Sequence, residues 1–440
     1  MNLLKKRSRI LISMVTTLFL LFFFLEDAGA KEKNNRDTTY STVTEVYDWG
    51  ASISKVIIDL GTPVPKNSIT QDTFKVSVKR NDSRKPNPFL EEGYRKVVKA
   101  YAGDQHGRPA VRGKFAVLEL EVGPQLSIGS PLNYYGGSND WIETDYTITQ
   151  AKEIKANPGK KGTITGITAK KSNGDKKLLI EDFSTGFFQH GGKSLTYASF
   201  SPVKDSKRNP LIVWLHGGGE GGTDPTIPLA ANKAVNFITK DIQSHFNGAH
   251  VLVPQTPTRW MDGLTGNADG TSKYTEALME LIQSHVKNNP DIDPSRIYIG
   301  GASNGGYMTM LMIRDYPNTF AAAFPVCQGL DNRYVSDEDI RRIANTPIWQ
   351  IHALNDLTLR PQNNSIPAHN RLLAAGAKNA VLTLFDDVRD TTGTYTRADG
   401  TPYQYDGHWS WIYVYNNEVK TTINGKTVSL MEWLAAQSRK

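Results

Sequence analysis

The stretch "RIYIGGASNGGYM", residues 296–308, places a serine between two segments of different periodicity. An apolar run that ends in glycines precedes Ser303, which is typical of a buried strand, and an apolar helical pattern follows it. On such a strand-turn-helix junction the serine stands above the edge of a sheet, and Gly301 and Gly305 keep side chains out of the gap between strand and helix. A Gly-x-Ser-x-Gly pattern is weak by itself because both residue types are common, so the surrounding segments must decide whether Ser303 is a nucleophile.

The residues around this junction alternate strands with helices from about residue 178 to residue 440. "LIVWLHGGG" and "HVLVPQ" contain unbroken apolar runs, as strands buried on both faces should. "TSKYTEALMELIQSHVKN" carries apolar residues at helical spacing. The alternation predicts an α/β domain over residues 178–440, with a doubly wound, mostly parallel sheet covered by helices on both faces.

The residues that precede this domain have another pattern. "DTFKVSVKR" and "AVLELEVG" alternate apolar with polar residues, which is the period of half-buried strands, and turn-rich stretches separate such segments. We therefore predict a small all-β sandwich domain over residues 38–152. Residues 153–177, "EIKANPGKKGTITGITAKKSNGDKK", are rich in lysine and glycine and are interpreted as a linker.

The first thirty residues resemble an export signal in their order of segments. A basic stretch, "MNLLKKRSR", is followed by an apolar run from Ile10 to Leu25 and then by the small residues Ala28-Gly29-Ala30. The apolar run is shorter than the about 20 residues that a membrane-spanning helix needs. We predict a signal peptide over residues 1–30 that is cleaved after Ala30, which makes the protein secreted and leaves it without a membrane partner. An uncleaved anchor is the alternative.

The composition excludes several classes of partner. With 39% hydrophobic and 22% charged residues, the chain is typical of globular proteins. The net charge of +7 is not concentrated in a basic stripe, so no nucleic-acid partner is expected. Cys327 is the single cysteine, which excludes a disulfide within the chain and a cysteine-based metal site. We expect neither a metal nor a cofactor.

A nucleophilic serine needs a histidine base, and the base needs an orienting acid. In α/β-hydrolases the three follow in the order Ser, Asp or Glu, His. Of the nine histidines, His369 and His408 lie after a plausible acid, and His408 lies in a long loop after the last predicted strand. Asp356 directly follows a predicted central strand in "WQIHALNDLT". The predicted catalytic residues are therefore Ser303, Asp356 and His408.

Backbone amides are expected to stabilise the oxyanion that forms when Ser303 attacks. The glycines of "LHGGGEGG" leave amides free after a predicted strand, and the Gly218 amide with that of Asn304 is the predicted pair. Gly217 is the alternative to Gly218, and His216 is expected to hold the shape of this loop.

Two tryptophans and one further histidine lie next to these motifs. Trp260, in "PQTPTRWMDG", and Trp409, beside His408, are predicted to contact substrate, with the packing of loops as the alternative. His352 lies within a predicted buried strand and is interpreted as a core histidine.

Four motifs together carry a family resemblance: "LHGGGEGG", "DPSRIYIGGASNGGYMT", "IHALND" and "GHWSWIYVYNN". In them the chain resembles secreted esterases of the α/β-hydrolase superfamily that are related to polyhydroxybutyrate-depolymerase-like and prolyl-oligopeptidase-like esterases. Within that group it is most similar to bacterial esterases with an immunoglobulin-like domain before the hydrolase domain. The resemblance implies hydrolysis of short-chain carboxylic esters by Ser303, Asp356 and His408, and an N-terminal domain that shapes or supports the active site.

These features predict a secreted serine carboxylesterase that acts through an acyl-enzyme on small esters or acylated polymers. A prolyl-oligopeptidase-type peptidase is one alternative, although the region before the hydrolase domain is too short for the propeller that gates such enzymes. A depolymerase of polyesters or acylated polysaccharides is a second alternative. A wall-associated binding protein without catalysis is a third.

Overall fold

The computed structural model describes residues 36–156 and 162–439 of the chain. The predicted signal peptide, residues 1–30, lies outside the described residues and stays a prediction. Within the described ranges, no helix has both the length and the apolar character that crossing a bilayer requires.

The N-terminal domain is all β. One sheet of eight strands has the order β4-β3-β9-β12-β1-β2-β6-β5. Two further strand pairs, β7 with β8 and β10 with β11, lie outside this sheet. The strands of the domain are β1 (Arg36–Tyr47), β2 (Gly50–Pro65), β3 (Phe74–Asn81), β4 (Phe89–Arg95), β5 (Val97–Gly103), β6 (Arg112–Leu120), β7 (Leu132–Tyr135), β8 (Ser138–Trp141), β9 (Glu143–Gln150), β10 (Ile154–Lys155), β11 (Thr163–Ile164) and β12 (Ile167–Lys177). Strand β3 alternates buried with more exposed residues along its length, as the period of two predicts.

The linker prediction is wrong for residues 167–177. They form β12, which pairs in parallel with β1 and antiparallel with β9. Only Ile167 and Ala169 of this strand are buried, and most of the other side chains are exposed. A strand with so few buried positions shows no apolar alternation in its sequence. Its four lysines and one glycine therefore resembled the composition of a linker.

The C-terminal domain is built on a second sheet of eight strands, in the order β13-β14-β16-β15-β17-β18-β19-β20. Strands β15 to β20 run parallel, whereas β13 and β14 are joined antiparallel at one edge. These strands are β13 (Ser184–His190), β14 (Lys193–Phe200), β15 (Asn209–Leu215), β16 (His250–Gln255), β17 (Ile292–Ala302), β18 (Ala322–Val326), β19 (Ile348–Ala353) and β20 (Ala380–Phe385), followed outside the sheet by the hairpin of β21 (Lys420–Ile423) and β22 (Lys426–Ser429).

The helices of this domain are α1 (Ile227–Ala230), α2 (Lys240–Phe246), α3 (Thr275–Asn288), α4 (Asn304–Asp315), α5 (Asp337–Ile343), α6 (Ser365–Ala374), α7 (Trp411–Tyr415) and α8 (Leu430–Ala435). Two clusters of buried apolar residues contain alternate residues of β15, with Ile212 and Trp214 in one and Leu211 and Val213 in the other. Successive residues of a strand point to opposite faces, so the sheet has a core on each side. This confirms the predicted doubly wound α/β domain.

Strands β15, β17 and β19 end at the same edge of the sheet because they run parallel. His216 follows β15, Ser303 follows β17, and Asp356 lies shortly after β19. The carboxyl ends of parallel strands are where open α/β sheets bind their ligands. The topology therefore brings the predicted functional residues to one place.

The hairpin of β7 and β8 reaches from the N-terminal domain to the C-terminal domain. Its turn is Gly136-Gly137, with φ of 62° and 92°, the left-handed backbone that a tight hairpin turn requires. The Trp141 indole donates a hydrogen bond of 2.8 Å to the Thr226 hydroxyl. A second link between the domains is the ion pair of Lys233 with the buried Asp48, at 2.7 Å.

Candidate active site

Ser303 occupies a strained turn between β17 and α4. Its backbone has φ 57° and ψ −111°, a conformation that residues with a side chain rarely adopt. The Ser303 N–H donates to the carbonyl of Val326 at 2.9 Å, and its carbonyl accepts the first helical hydrogen bond, from Tyr307. The strain is thus maintained by the sheet on one side and the helix on the other. This is the geometry of a nucleophile elbow, which presents the serine oxygen above the sheet edge.

Two glycines make this turn possible. A Cβ on Gly305 would lie 2.0 Å from the backbone oxygen of Leu215, and one on Gly301 would lie 2.6 Å from the backbone of Gly305. Both neighbours are backbone atoms of the central sheet and helix, which cannot move aside cheaply. The approach of strand and helix therefore depends on glycine at both positions.

His408 lies in a short 3-10 turn, Gly407–Trp409, and its backbone N–H donates to the Asp406 carboxylate at 2.8 Å. Its Nδ1 is 2.8 Å from Oδ2 of Asp356, and its Nε2 is 2.9 Å from Oγ of Ser303. An ionised carboxylate can only accept, so Nδ1 carries the proton in that contact. In the neutral imidazole Nε2 is then the acceptor, and the Ser303 hydroxyl donates to it. This is the tautomer that a general base needs.

Asp356 is almost completely buried, at 1% exposure, yet all of its hydrogen-bonding capacity is used. Oδ1 accepts from the backbone N–H groups of Thr358 and Leu359, both at 2.8 Å. Oδ2 accepts from His408 and, at 3.0 Å, from Nε2 of His352. Burial alone would raise the pKa of Asp356, but these hydrogen bonds hold it well below its ordinary value. The carboxylate is therefore ionised at neutral pH.

His352 is a second partner of the acid. It is fully buried, and its Nε2 faces two acceptors, Oδ2 of Asp356 at 3.0 Å and the Leu359 carbonyl at 2.8 Å. Nε2 must therefore carry the proton, and Nδ1 accepts from the Ser365 hydroxyl at 2.8 Å. Sequence reasoning identified a core histidine but missed its contact with Asp356. The spacing of four residues in "IHALND" was the available signal.

The glycine loop, residues 216–222, is held by His216. Nε2 of His216 accepts from the Thr256 N–H at 3.2 Å, so Nδ1 carries the proton and donates to the Gly217 carbonyl at 2.6 Å. Burial lowers the pKa of His216 to about 4, which keeps the ring neutral. In a trans peptide the carbonyl and the next N–H point in opposite directions. Because His216 binds the Gly217 carbonyl, the Gly218 N–H points away from His216.

Gly218 and Asn304, the residues predicted to supply oxyanion-stabilising amides, are neighbours. A Cβ on Gly218 would lie 3.5 Å from the side-chain amide of Asn304. Asn304 is the first residue of α4, and its side-chain oxygen accepts from the Met261 N–H at 3.0 Å. Gly217 lies in the same loop, and the assignment of Gly218 rather than Gly217 stays a prediction.

The N-terminal domain also contacts the glycine loop. Nδ2 of Asn139, on β8, donates to the Gly219 carbonyl at 3.2 Å and lies 3.4 Å from Oε1 of Glu220. On the other side, Nε2 of Gln255 donates to the Glu220 carbonyl at 2.9 Å. Burial raises the pKa of Glu220 to about 7. Sequence reasoning missed Asn139, because "GGSND" indicated only a turn, in a region far along the chain from the loop.

A cleft of about 930 Å³ contains Ser303 and His408 and is bordered by the glycine loop and by the β7–β8 hairpin. Trp409, predicted to contact substrate, lines this cleft. The same prediction for Trp260 is wrong. Its side chain is fully buried and packs against His216 and Tyr274, at ring distances of 5.2 and 6.1 Å, as part of the core beneath the loop.

Cys327 lies beside the acid and the base, with its sulfur, an oxygen of Asp356 and a nitrogen of His408 all within 4.8 Å of one another. Burial raises the pKa of the Cys327 thiol well above its usual value, so the sulfur is neutral. Asp356 and His408 are already bonded to each other. The thiol therefore packs here as a small apolar group.

Comparisons with known proteins agree with this fold. The family model of the esterase Ig-like N-terminal domain matches residues 39–163, and that of the phospholipases and carboxylesterases matches residues 201–388. The crystal structure of a thermostable esterase is 28% identical and superposes with a TM-score of 0.74, covering 91% of this chain and 100% of that one.

Two curated relatives each match less than half of the chain. Poly(3-hydroxyalkanoate) depolymerase C of Paucimonas lemoignei is 29% identical over 234 residues, which cover 44% of this chain and 51% of the depolymerase. A probable carboxylesterase, SOBER1-like, of Arabidopsis thaliana is 24% identical over 209 residues, 41% of this chain and 73% of that one. The chain thus spans about half the length of the depolymerase. The two matched domains and the esterase structure show that the chain has an esterase Ig-like domain at its N-terminus, followed by an α/β-hydrolase domain that matches the phospholipases and carboxylesterases.

Proposed function

We propose that the protein is a serine carboxylesterase that hydrolyses short-chain acyl esters. The observation that carries the proposal is the continuous hydrogen-bond chain from Ser303 through His408 to Asp356, with the tautomer of His408 set by the buried carboxylate. Esters are favoured over peptides because the N-terminal domain is a single all-β domain and not a propeller of several blades.

The reaction begins when Nε2 of His408 takes the proton of the Ser303 hydroxyl and Oγ attacks the ester carbonyl. The N–H groups of Gly218 and Asn304 stabilise the tetrahedral anion, and His408 returns the proton to the leaving alcohol. Water then attacks the acyl-enzyme by the same sequence and releases the carboxylic acid. Asp356 stays ionised and stabilises the imidazolium form of His408 in both halves.

A short acyl group is favoured by the chemistry of the cleft walls. Aromatic and polar side chains line the cleft, and among its described lining residues none is Leu, Ile, Val, Met or Phe. A long alkyl chain gains its binding energy from apolar surface removed from water, and this cleft offers little aliphatic surface for that.

The first prediction tests the nucleophile. Ser303→Ala should lower kcat for p-nitrophenyl acetate by at least about 10⁴-fold, because the serine and its base act as one unit. Ser244→Ala, on α2 and outside the cleft, is the matched control and should retain full activity. A panel of p-nitrophenyl esters from two to sixteen carbons should show its highest kcat/KM at the short end. If peptide substrates were cleaved and the esters were not, a peptidase would be supported instead. If a fluorophosphonate probe did not label the protein, a binding protein without catalysis would be supported.

We also propose that the chain is exported, with cleavage after Ala30. The support is the order of basic, apolar and small residues in the first thirty positions. N-terminal sequencing of the protein recovered from the culture medium should begin at Lys31. A membrane-bound product that begins at Met1 would favour the uncleaved anchor.

A further inference from the structure

The cleft beside Ser303 is much larger than a short acyl group requires. Its volume of about 930 Å³ lies near the upper end of sites that hold drug-sized ligands, roughly 300–1,000 Å³. An acetyl or propionyl group would occupy a small part of it. The remaining space must be shaped for the other part of the ester, which is the alcohol.

Two kinds of side chain predominate in the walls of the cleft, beside the charged Arg259 and Glu220. Aromatic rings are contributed by Trp49, Tyr134, Trp409 and Trp411. Hydrogen-bonding side chains are contributed by Ser138, Asn139, Asn232 and Thr258. The described lining includes no large aliphatic side chain, so most of its apolar surface is aromatic and lies beside hydrogen-bonding groups.

The tryptophan rings are held in place by stacking. Trp49 stacks on Tyr47 at 4.9 Å with an angle of 7° between the ring planes, and Trp409 stacks on Trp411 at 6.2 Å and 26°. Tyr134 lies on the β7–β8 hairpin and is 63% exposed, so its ring is available to a ligand in the cleft. Rigid aromatic side chains supply a large contact area at a low cost in conformational entropy.

A pyranose ring matches these walls. Its axial C–H groups form weakly apolar faces that pack on aromatic rings, whose faces are electron-rich, and its hydroxyls project at the edge, where amides and hydroxyls can bond them. We propose that this cleft binds the sugar ring of an O-acylated saccharide, with Tyr134 and Trp409 against the ring faces and the scissile ester at Ser303. This inference rests on the proposed ester hydrolysis at Ser303 and specifies its alcohol.

The test compares two acetates that differ in hydroxyl groups around a six-membered ring. One substrate is an equilibrated mixture of monoacetylated methyl β-D-glucopyranosides, which presents the ester at each hydroxyl of the sugar, and the other is cyclohexyl acetate. Acetate release gives kcat/KM for each. We expect the ratio of kcat/KM, glucoside over cyclohexyl ester, to be about tenfold or more, and a ratio of one or below would overturn the inference.

Two variants of the hairpin locate the preference in the cleft. Tyr134→Ala should lower this ratio at least about fivefold, because the ring-face contact is lost for the sugar. Tyr135→Ala, the adjacent residue, which does not line the cleft, should leave the ratio as in the wild type. An unchanged ratio in Tyr134→Ala would overturn the assignment.

If neither acetate is hydrolysed, both the inference and the proposed esterase activity are refuted. Efficient hydrolysis of cyclohexyl acetate alone would refute the inference and leave the proposed esterase activity supported.

Discussion

Two glycine-rich segments meet at the cleft, and they are held in place in different ways. The elbow at residues 300–306 is fixed by backbone packing, since Cβ atoms at Gly301 and Gly305 would lie well inside contact distance of neighbouring backbone. In the glycine loop at residues 216–222, Gly221 packs tightly on the backbone of Thr258, but a Cβ on Gly218 would lie 3.5 Å from its nearest neighbour. Around Gly218 the loop is held by hydrogen bonds from three side chains: His216, Gln255 and Asn139. The proposed nucleophile thus depends on steric exclusion, and the proposed oxyanion site depends on hydrogen bonds, one of them from another domain.

The largest effect on stability is expected when a methyl group is added to a glycine of the elbow. Gly305→Ala places a Cβ 2.0 Å from the Leu215 oxygen, and the required backbone shift should lower the free energy of unfolding by about 4 kcal/mol or more and abolish activity. Gly218→Ala is the matched change in the glycine loop, where the nearest atom to the Cβ is 3.5 Å away. It should cost less than about 1 kcal/mol. Urea unfolding measures both, and equal losses would contradict the difference between the segments.

The sequence predicted the elbow because its chemistry is local. Strand, turn, glycines and helix follow one another within residues 296–308, and the order Ser303, Asp356, His408 follows from the topology of the sheet. The side chains that hold the glycine loop are not local in this sense. Asn139 comes from another domain, and the burial of Trp260 depends on how its loop packs under β15. Contacts of that kind depend on tertiary packing, which periodicity does not report.

A further prediction concerns His216, a titratable side chain whose hydrogen bonds hold the glycine loop. His216 stays neutral in the folded protein down to about pH 4, whereas an unfolded histidine binds a proton near pH 6.5. Between these values the unfolded state holds the additional proton, so the free energy of unfolding falls as the pH falls. Over this pH window the lowered pKa of His216 reduces the free energy of unfolding by about 3 kcal/mol.

His216→Asn isolates this contribution, because an asparagine can still donate to the Gly217 carbonyl but does not titrate. Urea unfolding from pH 7 to pH 4.5 should show the stability of the wild type falling more steeply than that of the variant, by about 2–3 kcal/mol over the range. Other titrating groups contribute equally to both proteins and cancel in the difference. They include His285, which acts in the same direction as His216, and Glu220, whose raised pKa acts in the opposite direction. Parallel curves would contradict the prediction, because they would mean that the pKa of His216 is the same in the folded and unfolded states.

The smallest effect concerns the one hydrogen bond to the glycine loop from the N-terminal domain. Asn139→Ala removes the donor to the Gly219 carbonyl, and the loop should then hold the neighbouring Gly218 amide less firmly. Because the oxyanion forms only during the reaction, we expect kcat to fall about tenfold, which is about 1.4 kcal/mol, with little change in KM. Asn139→Asp has the same shape but brings a carboxylate toward the Gly219 carbonyl and Glu220, so its kcat should fall further.

If Asn139 had a purely structural role, both variants would lose stability against urea while kcat stayed at the wild-type value. The order wild type, Asn139→Ala, Asn139→Asp in kcat would instead show that the immunoglobulin-like domain acts on the reaction through the loop that it contacts.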